Sequence, residues 1–397
     1  MPRFSTSALN MRSSEIRKLM KLAADPSIIS FSGGMPNNSL FPCEVVEELY
    51  RNLPVEVKQA AFQYGPTPGI PALLESVREY LRSKELPVDS NDLIITTGAQ
   101  QSINLITKVM IDPGDSLITE YPSFIGAVAA FKSYGADLKS IPLDNDGILV
   151  DELTKAIESM PTVPKMLYLT PYFHNPAGII YSKERKEAVM EIITKYDIVF
   201  LEDDPYCELY FNEGDKELTR SMKSITNDSE KICYVGSFAK ILGPGIRLGY
   251  LLGPKEIVEK CELAKQSMDA CSPTFSQVLA NAFLRENKLN PYLEMLRPTY
   301  KRRAEIMLSA LEEQMPDVVS WTTPKGGFYI WVTLPEHMDS SDVFAKSIEL
   351  GAAFVIGNAF DPEGKRNNSF RLAFSHTPEE KIAQGVEMVA KAVKSCL

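Results

Sequence analysis

The sequence predicts an α/β protein with a mostly parallel sheet and a second, smaller α+β region, and two observations carry that prediction. Seven short apolar or β-branched runs recur between positions 93 and 253: Leu93–Thr96, Ser116–Glu120, Asp137–Ile141, Met166–Thr170, Ile198–Glu202, Ile232–Gly236 and Arg247–Gly253. Several of the gaps between them hold helical patterns, such as Ile103, Ile106 and Met110, or Ala188, Glu191 and Ile192. Strands alternating with helices imply a seven-stranded, mostly parallel sheet covered on both faces. From about Asn290 the pattern changes to a long helix, Pro298 to about Met315, then strands at Gly327–Leu334 and Ser369–Ser375.

Ahead of the first strand, residues 1–13 are polar and irregular, and Ile16, Leu19, Met20 and Ala23 fall at helical spacing, which predicts an arm. Ser32-Gly-Gly-Met-Pro-Asn37 is a turn whose Gly33 and Gly34 allow close backbone approach. Gln63-Tyr-Gly-Pro-Thr-Pro-Gly-Ile-Pro71 is a rigid loop carrying the hydroxyl of Tyr64, and a helix follows from about Pro71 to Ser83. The chain closes on a helix opened by Thr377-Pro-Glu-Glu380, read as a capping box with proline in its first turn.

Composition narrows the function classes. At 397 residues and 44% hydrophobic content the chain can bury a large core. A net charge of −10 without a long basic run speaks against nucleic acid or an anionic membrane surface. Six scattered cysteines without a C-x-x-C pair, and only three histidines, predict free thiols in a reducing cytoplasm and no metal site. No run reaches the length of a membrane span.

In a mostly parallel sheet the ligand lies at the carboxyl ends of the strands. Those ends carry Gly98-Ala-Gln100, Tyr121-Pro-Ser-Phe124, His174-Asn-Pro-Ala-Gly178, Asp203-Asp-Pro-Tyr206 and Ser237 to Lys240. Lys240 lies between an apolar strand and the turn Gly243-Pro-Gly245. Held rigidly and partly desolvated, its amine becomes a nucleophile near neutral pH. Arg247 follows seven residues on, where a bent backbone can bring its fork back to bind a phosphate. Three other readings compete at this point. Ser237-Phe-Ala-Lys240 matches the Ser-x-x-Lys of acylating serine enzymes, but the Ser-Asp-Asn and Lys-Thr-Gly partners are missing. Gly243, Gly245 and Gly249 are spaced one residue too long for a dinucleotide fingerprint. Lys240 could also be an ordinary exposed loop lysine.

Five motifs in order decide between them. Asn175-Pro-Ala-Gly, Asp203-x-x-Tyr206, Ser237-x-x-Lys240, Arg247 and Phe370-Arg371-Leu resemble those of the fold type I aminotransferases that use pyridoxal 5′-phosphate (PLP). The loops Ser32 to Asn37 and Gln63-Tyr-Gly-Pro resemble the kynurenine/2-aminoadipate aminotransferase branch in particular. The resemblance implies a fold type I PLP-transferase. An N-terminal arm and part of the small domain cover 1–47, a large PLP-binding domain 48–289, and a small domain 290–397. It implies that Lys240 holds PLP as a Schiff base and later moves a proton, and that Asp203 keeps the ring nitrogen protonated. Asp204 is the neighbour with which Asp203 could be confused. Tyr206 and Asn175 are implied to bond the phenolate oxygen, Phe124 to stack on the ring, and Gly98, Ala99, Gln100, Ser237 and Arg247 to hold the phosphate. Tyr64 is implied to reach the phosphate of a neighbouring subunit, which makes a homodimer necessary.

For the substrate, the resemblance implies that Arg371 grips the α-carboxylate bidentately and that Gly33 and Gly34 line the pocket. Read without the family, Arg371 in an apolar strand calls for a salt bridge to Asp or Glu. Arg17 is a candidate for a distal carboxylate or ring, and a solvated helix face is the competing reading. Departures from the family pattern are Ala239 where a hydroxyl is common, Phe124 for tyrosine, Ala177 for threonine and His174 for asparagine, with His174 read as a site-edge residue. The function implied is transfer of the amino group of 2-aminoadipate, glutamate or an aromatic, kynurenine-like amino acid to a 2-oxo acid. A β-lyase or decarboxylase on the same cofactor, and a non-catalytic ligand sensor, are the alternatives.

Overall fold

The computed structural model describes residues 3–5, 8, 25, 27–225 and 230–397. Its strands in chain order are β1 (Ile29–Ser30), β2 (Asp92–Thr96), β3 (Ser116–Tyr121), β4 (Asp137–Asp144), β5 (Gly147–Ile148), β6 (Met166–Leu169) and β7 (Val199–Asp204). They continue with β8 (Ile232–Ser237), β9 (Gly249–Gly253), β10 (Ser320–Trp321), β11 (Tyr329–Thr333), β12 (Ala352–Ala353), β13 (Val355–Ile356) and β14 (Ser369–Ala373). The main sheet runs β2-β9-β8-β7-β6-β3-β4-β5. Only β9 and the edge strand β5 pair antiparallel with their neighbours. All seven predicted runs are present. The eighth strand, β5, is two residues long and returns from β4 through a tight turn, too short to leave a pattern of its own.

Alternation along the central strands divides the core. Leu117, Tyr168, Leu201 and Val235 face one buried cluster, with Ile103, Ile106 and Phe131 from the covering helices. Ile118, Leu167, Leu169, Phe200 and Ile232 face the opposite cluster, with Val189 and Ile193. Successive side chains in a strand point to opposite faces, so a strand buried on both sides reads as a continuous apolar run. Each large side chain so buried contributes about 1.5–3 kcal/mol. The period also separates Asp203 from Asp204 at the end of β7: Asp203 shares a face with Leu201, and Asp204 points the other way.

The C-terminal part forms a four-stranded antiparallel sheet, β10-β11-β14-β13. β1 returns from the other end of the chain to pair in parallel with β12. Two predictions are corrected here. The long helix covers Leu289–Gln314 and carries Pro298 in its interior rather than at its start. Leu289, Leu293, Leu296, Tyr300, Ala304, Met307 and Leu311 keep one buried stripe running through the proline, and that burial offsets the lost backbone bond. The last helix, Glu379–Cys396, has no capping box: Pro378 is its N-cap, and Thr377 donates its hydroxyl to the carbonyl of Ser30 at 2.9 Å. Among the described residues no helix is long and apolar enough to cross a membrane.

Candidate active site

The helix Ala99–Met110 follows β2 directly, with Gly98 as its N-cap at φ +90°, a conformation that excludes most other residues. A glycine brings no side chain to satisfy the first N–H groups, so they face outward with the positive end of the helix dipole. Over them lies Arg247. Its own φ of 52° turns it back at the end of the short turn Pro244–Ile246, and its guanidinium donates to the carbonyls of Thr97 (3.2 Å) and Pro244 (3.3 Å). A Cβ built on Gly98 would lie 3.2 Å from Nη2 of Arg247. The predicted strand from Arg247 therefore starts only at Gly249, and the bend in between aims the arginine. Gln100 turns its amide nitrogen to the carbonyl of Gly126 at 2.9 Å, beside Phe124, the N-cap of the next helix.

Lys240 follows the end of β8 and is half-buried; its Nζ donates to the carbonyl of Gly34 at 3.0 Å. The rings of Tyr206 and Phe328 lie 5.6 and 5.9 Å away. Burial, reinforced by the positive charges of Arg371 and Arg247, pulls its ammonium down to about 8. Tyr206 is buried and shares a 2.8 Å hydroxyl pair with Tyr329. Ser237 accepts the backbone N–H of Ala239 at 3.2 Å.

The two aspartates of β7 are unlike. Asp204 has both oxygens engaged, by Cys207 N–H at 2.9 Å and the Tyr234 hydroxyl at 2.6 Å. Asp203 accepts the Tyr168 hydroxyl on Oδ2 at 2.7 Å, while Oδ1 is buried without a partner among the described residues. Burial is the main cause holding the Asp203 carboxyl up at about 7, and the charges of Asp204 and Glu120 add to it. A buried, half-satisfied carboxyl is costly unless a cationic donor completes it.

Arg371, on β14, is 3% exposed. Nη1 donates to Asn175 Oδ1 at 2.8 Å and Nη2 to the carbonyl of Ser32 at 2.6 Å, and Nε has no partner among the described residues. Its guanidinium lies over the rings of Tyr329 (4.5 Å) and Phe360 (4.9 Å). Among the described residues no carboxylate pairs with it, so the salt bridge expected from the strand alone is not formed. A buried cation braced by neutral groups is a built receptor for an anion.

The sequence profile described as "Aminotransferase class I and II" matches residues 28–389. The chain belongs to this family of aminotransferases. It is 37% identical over 98% of its length to an aromatic-amino-acid aminotransferase of Thermococcus litoralis, covering 94% of that protein. It is 33% identical over 99% of its length to a 2-aminoadipate transaminase of Thermus thermophilus, covering 97% of that protein. Among solved structures, Pyrococcus horikoshii kynurenine aminotransferase, in complex with pyridoxamine phosphate, superposes with a TM-score of 0.95 at 37% identity, over 99% of this chain and 97% of that one. The cofactor of this transaminase is pyridoxal 5′-phosphate.

The residues present in this aminotransferase fit that group. The orphaned Asp203 Oδ1 suits a protonated ring nitrogen, the uncapped helix start beside Arg247 suits a phosphate, and Lys240 supplies an amine of lowered basicity. Of the sequence-predicted residues, Lys240, Tyr206, Asn175, Gly34 and Arg371 form one linked cluster, and Gly98, Ala99 and Arg247 a second. Gly33 adjoins Met35, whose Cε would lie 3.1 Å from an added Cβ. Tyr64 is not brought to the site within the chain: it is 84% exposed. Arg17 lies outside the described residues. His174 is corrected. It is fully buried, held by Glu120 at 3.1 Å and by the N–H of Ala177 at 3.0 Å, and does not stand at the site edge. Its neighbour Asn175 opens the turn 175–177 and reaches Arg371 with Oδ1. Sequence reasoning missed Tyr168, Tyr329, Phe328 and Phe360. Tyr329 opens the apolar strand β11 and Phe328 directly precedes it, where an aromatic residue reads as core, and nothing in their spacing distinguishes them.

Proposed function

We propose that this aminotransferase moves the amino group of an aromatic, kynurenine-like L-amino acid, 2-aminoadipate or glutamate to a 2-oxo acid such as 2-oxoglutarate. The observation that carries the reading is Arg371: buried, oriented by Asn175 and Ser32, and lacking an anion among the described residues. The α-carboxylate common to every amino acid and 2-oxo acid is the anion it suits. Neither Asn175 Oδ1 nor the carbonyl of Ser32 needs to leave, because Nε and the second N–H of each terminal nitrogen stay available. The named activities of the relatives, aromatic-amino-acid, kynurenine and 2-aminoadipate transamination, supply the range of side chains.

When bound, the cofactor supplies an electron sink and a carbon that carries the amino group between the two substrates. Lys240 Nζ would anchor it and, once freed, would serve as the base that takes the proton from the substrate Cα and gives it back. An amine held at about 8 is largely protonated but about one-fifth neutral near physiological pH, which suits a group that both accepts and gives protons. Asp203 Oδ1 keeps the ring nitrogen protonated, Tyr206 and Asn175 donate to the ring's oxygen, and Phe124 covers its face. The N–H groups after Gly98, with Gln100, Ser237 and Arg247, hold the phosphate. Gly33 and Gly34 leave room beside the substrate.

The same reading divides the chain at 47/48 and 289/290, and the pairing of β1 with β12 supports counting the N-terminal stretch with the small domain. It also makes the working unit a cytoplasmic homodimer serving amino-acid biosynthesis. Tyr64 and Phe62 are 84% and 77% exposed, and Phe62 packs on Phe275 at 5.7 Å, an aromatic surface suited to a second copy. The test is the visible spectrum of the pure protein with single amino acids. Loss of the cofactor's visible band with phenylalanine, kynurenine, 2-aminoadipate or glutamate, and its return with 2-oxoglutarate, establishes the transfer. A band that no donor converts, or pyruvate and ammonia released from a cysteine conjugate, refutes it.

A further inference from the structure

The two oxygens of Asp203 differ because of what stands behind one of them. The Tyr168 hydroxyl that donates to Oδ2 receives a 3.3 Å bond from Thr170 Oγ1, so its single proton is committed to Asp203. Thr170 is fixed in turn: its backbone N–H donates to Glu120 Oε2 at 3.0 Å. Glu120 also accepts the Tyr181 hydroxyl at 2.6 Å and faces His174 Nε2 at 3.1 Å. The proton of His174 sits on Nε2, because the N–H of Ala177 occupies Nδ1. Tyr168, Thr170, Glu120, His174 and Tyr181 are all 1% exposed or less, so no water rearranges the directions of these bonds.

We propose that Tyr168 is a positioning residue of the transamination site: by holding Asp203 Oδ2 as a permanent acceptor, it confines the proton of that carboxyl to Oδ1 and favours its transfer to the cofactor's ring nitrogen. The proposal rests on the pyridoxal phosphate reading of the site. Its chemistry is one proton shared between two atoms. A donor on Oδ2 withdraws electron density from the carboxylate, so Oδ1 is the weaker base and the nitrogen keeps the proton. The charged groups facing Asp203 act against this: Asp204 on the same strand and Glu120 on β3 both raise its affinity for a proton, and among the described residues only Tyr168, on β6, opposes them with a hydrogen bond. The hydroxyl serves no packing need. The Tyr168 ring meets Phe131 edge-on at 5.2 Å, a contact phenylalanine would keep.

Tyr168→Phe is the direct test, read in holoenzyme reconstituted with cofactor carrying nitrogen-15 in its ring. The ring-nitrogen resonance should move toward the unprotonated position, and kcat should fall about tenfold, the equivalent of one unit in proton affinity, with KM little changed. In the cofactor-free protein the Asp203 carboxyl, followed by infrared difference spectroscopy, should titrate higher than in wild type. An unchanged resonance and an unchanged carboxyl titration overturn the proposal, whatever happens to the melting temperature. If Tyr168→Phe does not fold, Thr170→Val keeps the ring and frees the hydroxyl to turn; a smaller shift in the same direction supports the proposal and no shift overturns it. Should wild-type protein take up no cofactor, the pyridoxal phosphate reading fails, and the carboxyl titration of cofactor-free Tyr168→Phe still decides for or against Tyr168.

Discussion

Asn175 Oδ1 accepts a 2.8 Å hydrogen bond from Nη1 of Arg371, and this bond ties the turn after β6 to strand β14 of the smaller sheet. It uses the oxygen of the amide and leaves the nitrogen to donate elsewhere. One side chain thereby orients the cation for the substrate and keeps a donor for the cofactor.

Arg371→Lys should therefore lower kcat/KM for every donor by a similar factor, about a hundredfold, because a point charge cannot reproduce two parallel bonds to the α-carboxylate. Steady-state kinetics with phenylalanine, glutamate and 2-aminoadipate measures the ratio. A loss confined to the acidic donors would place Arg371 at the distal group and sink its α-carboxylate role.

Lys240 should react with an amine-directed reagent along a titration midpoint of about 8 in the cofactor-free protein. Only the neutral amine is nucleophilic, and the lowered value means that it forms at a lower pH than for an exposed lysine, whose ordinary value is 10.5. Competitive acetylation resolved peptide by peptide gives the midpoint, with the exposed Lys108 and Lys183 as internal references. A midpoint shared with those lysines would remove the desolvation argument. Lys240→Ala should abolish band conversion by any donor, with a rate loss of about 10²–10⁴-fold or more.

Most of the sheet was legible because β2, β6, β7, β8 and β9 are buried on both faces, so each is an apolar run that leads into a polar or glycine residue; β4 is partly exposed and carries a weaker pattern. β5, at two residues, has too little length to show a period, and the start of the helix Leu289–Gln314 was hidden by Pro298, which sequence rules place at a first turn. Within the site, residues whose chemistry is rare in a core stood out: Lys240, Asp203, Arg371. The residues behind them did not. Tyr168 and Tyr329 function through hydroxyls on otherwise apolar rings, and which face a ring joins is set by the register of neighbouring strands. Thr377 shows the reverse case: its spacing fits a capping box, but the carbonyl of Ser30, far along the chain, takes its hydroxyl.

Asp203→Asn should change the pH dependence of stability in the cofactor-free protein. The folded-state value of about 7 lies above an aspartate's ordinary 3.8, so between these limits the folded state binds more protons than the unfolded state. That group's contribution to stability is present below about 4 and is lost as pH rises to about 7. Asparagine does not ionise. Relative to wild type the variant should thus gain stability across this window and hold the gain above it, read as the difference in urea midpoints at several pH values. A difference flat in pH would mean that Asp203 is not held up by burial.

Gly34→Ala tests the contact that closes the site from the N-terminal side. A Cβ there would collide with the Tyr329 hydroxyl and lie 2.7 Å from the ring carbon that bears it, so Tyr329 or the turn must move. Either shift breaks a bond the site uses, the 2.8 Å pair between Tyr329 and Tyr206 or the 3.0 Å bond from Lys240 to the Gly34 carbonyl. Overpacking of this kind costs about 1–3 kcal/mol. Because the hydroxyl is the nearest obstacle, adding Tyr329→Phe should recover part of the loss, making the double variant more stable than the sum of the single effects predicts. Melting temperatures of the four proteins close the cycle. Strict additivity would show that the turn, not Tyr329, gives way, and that Tyr206 keeps its partner.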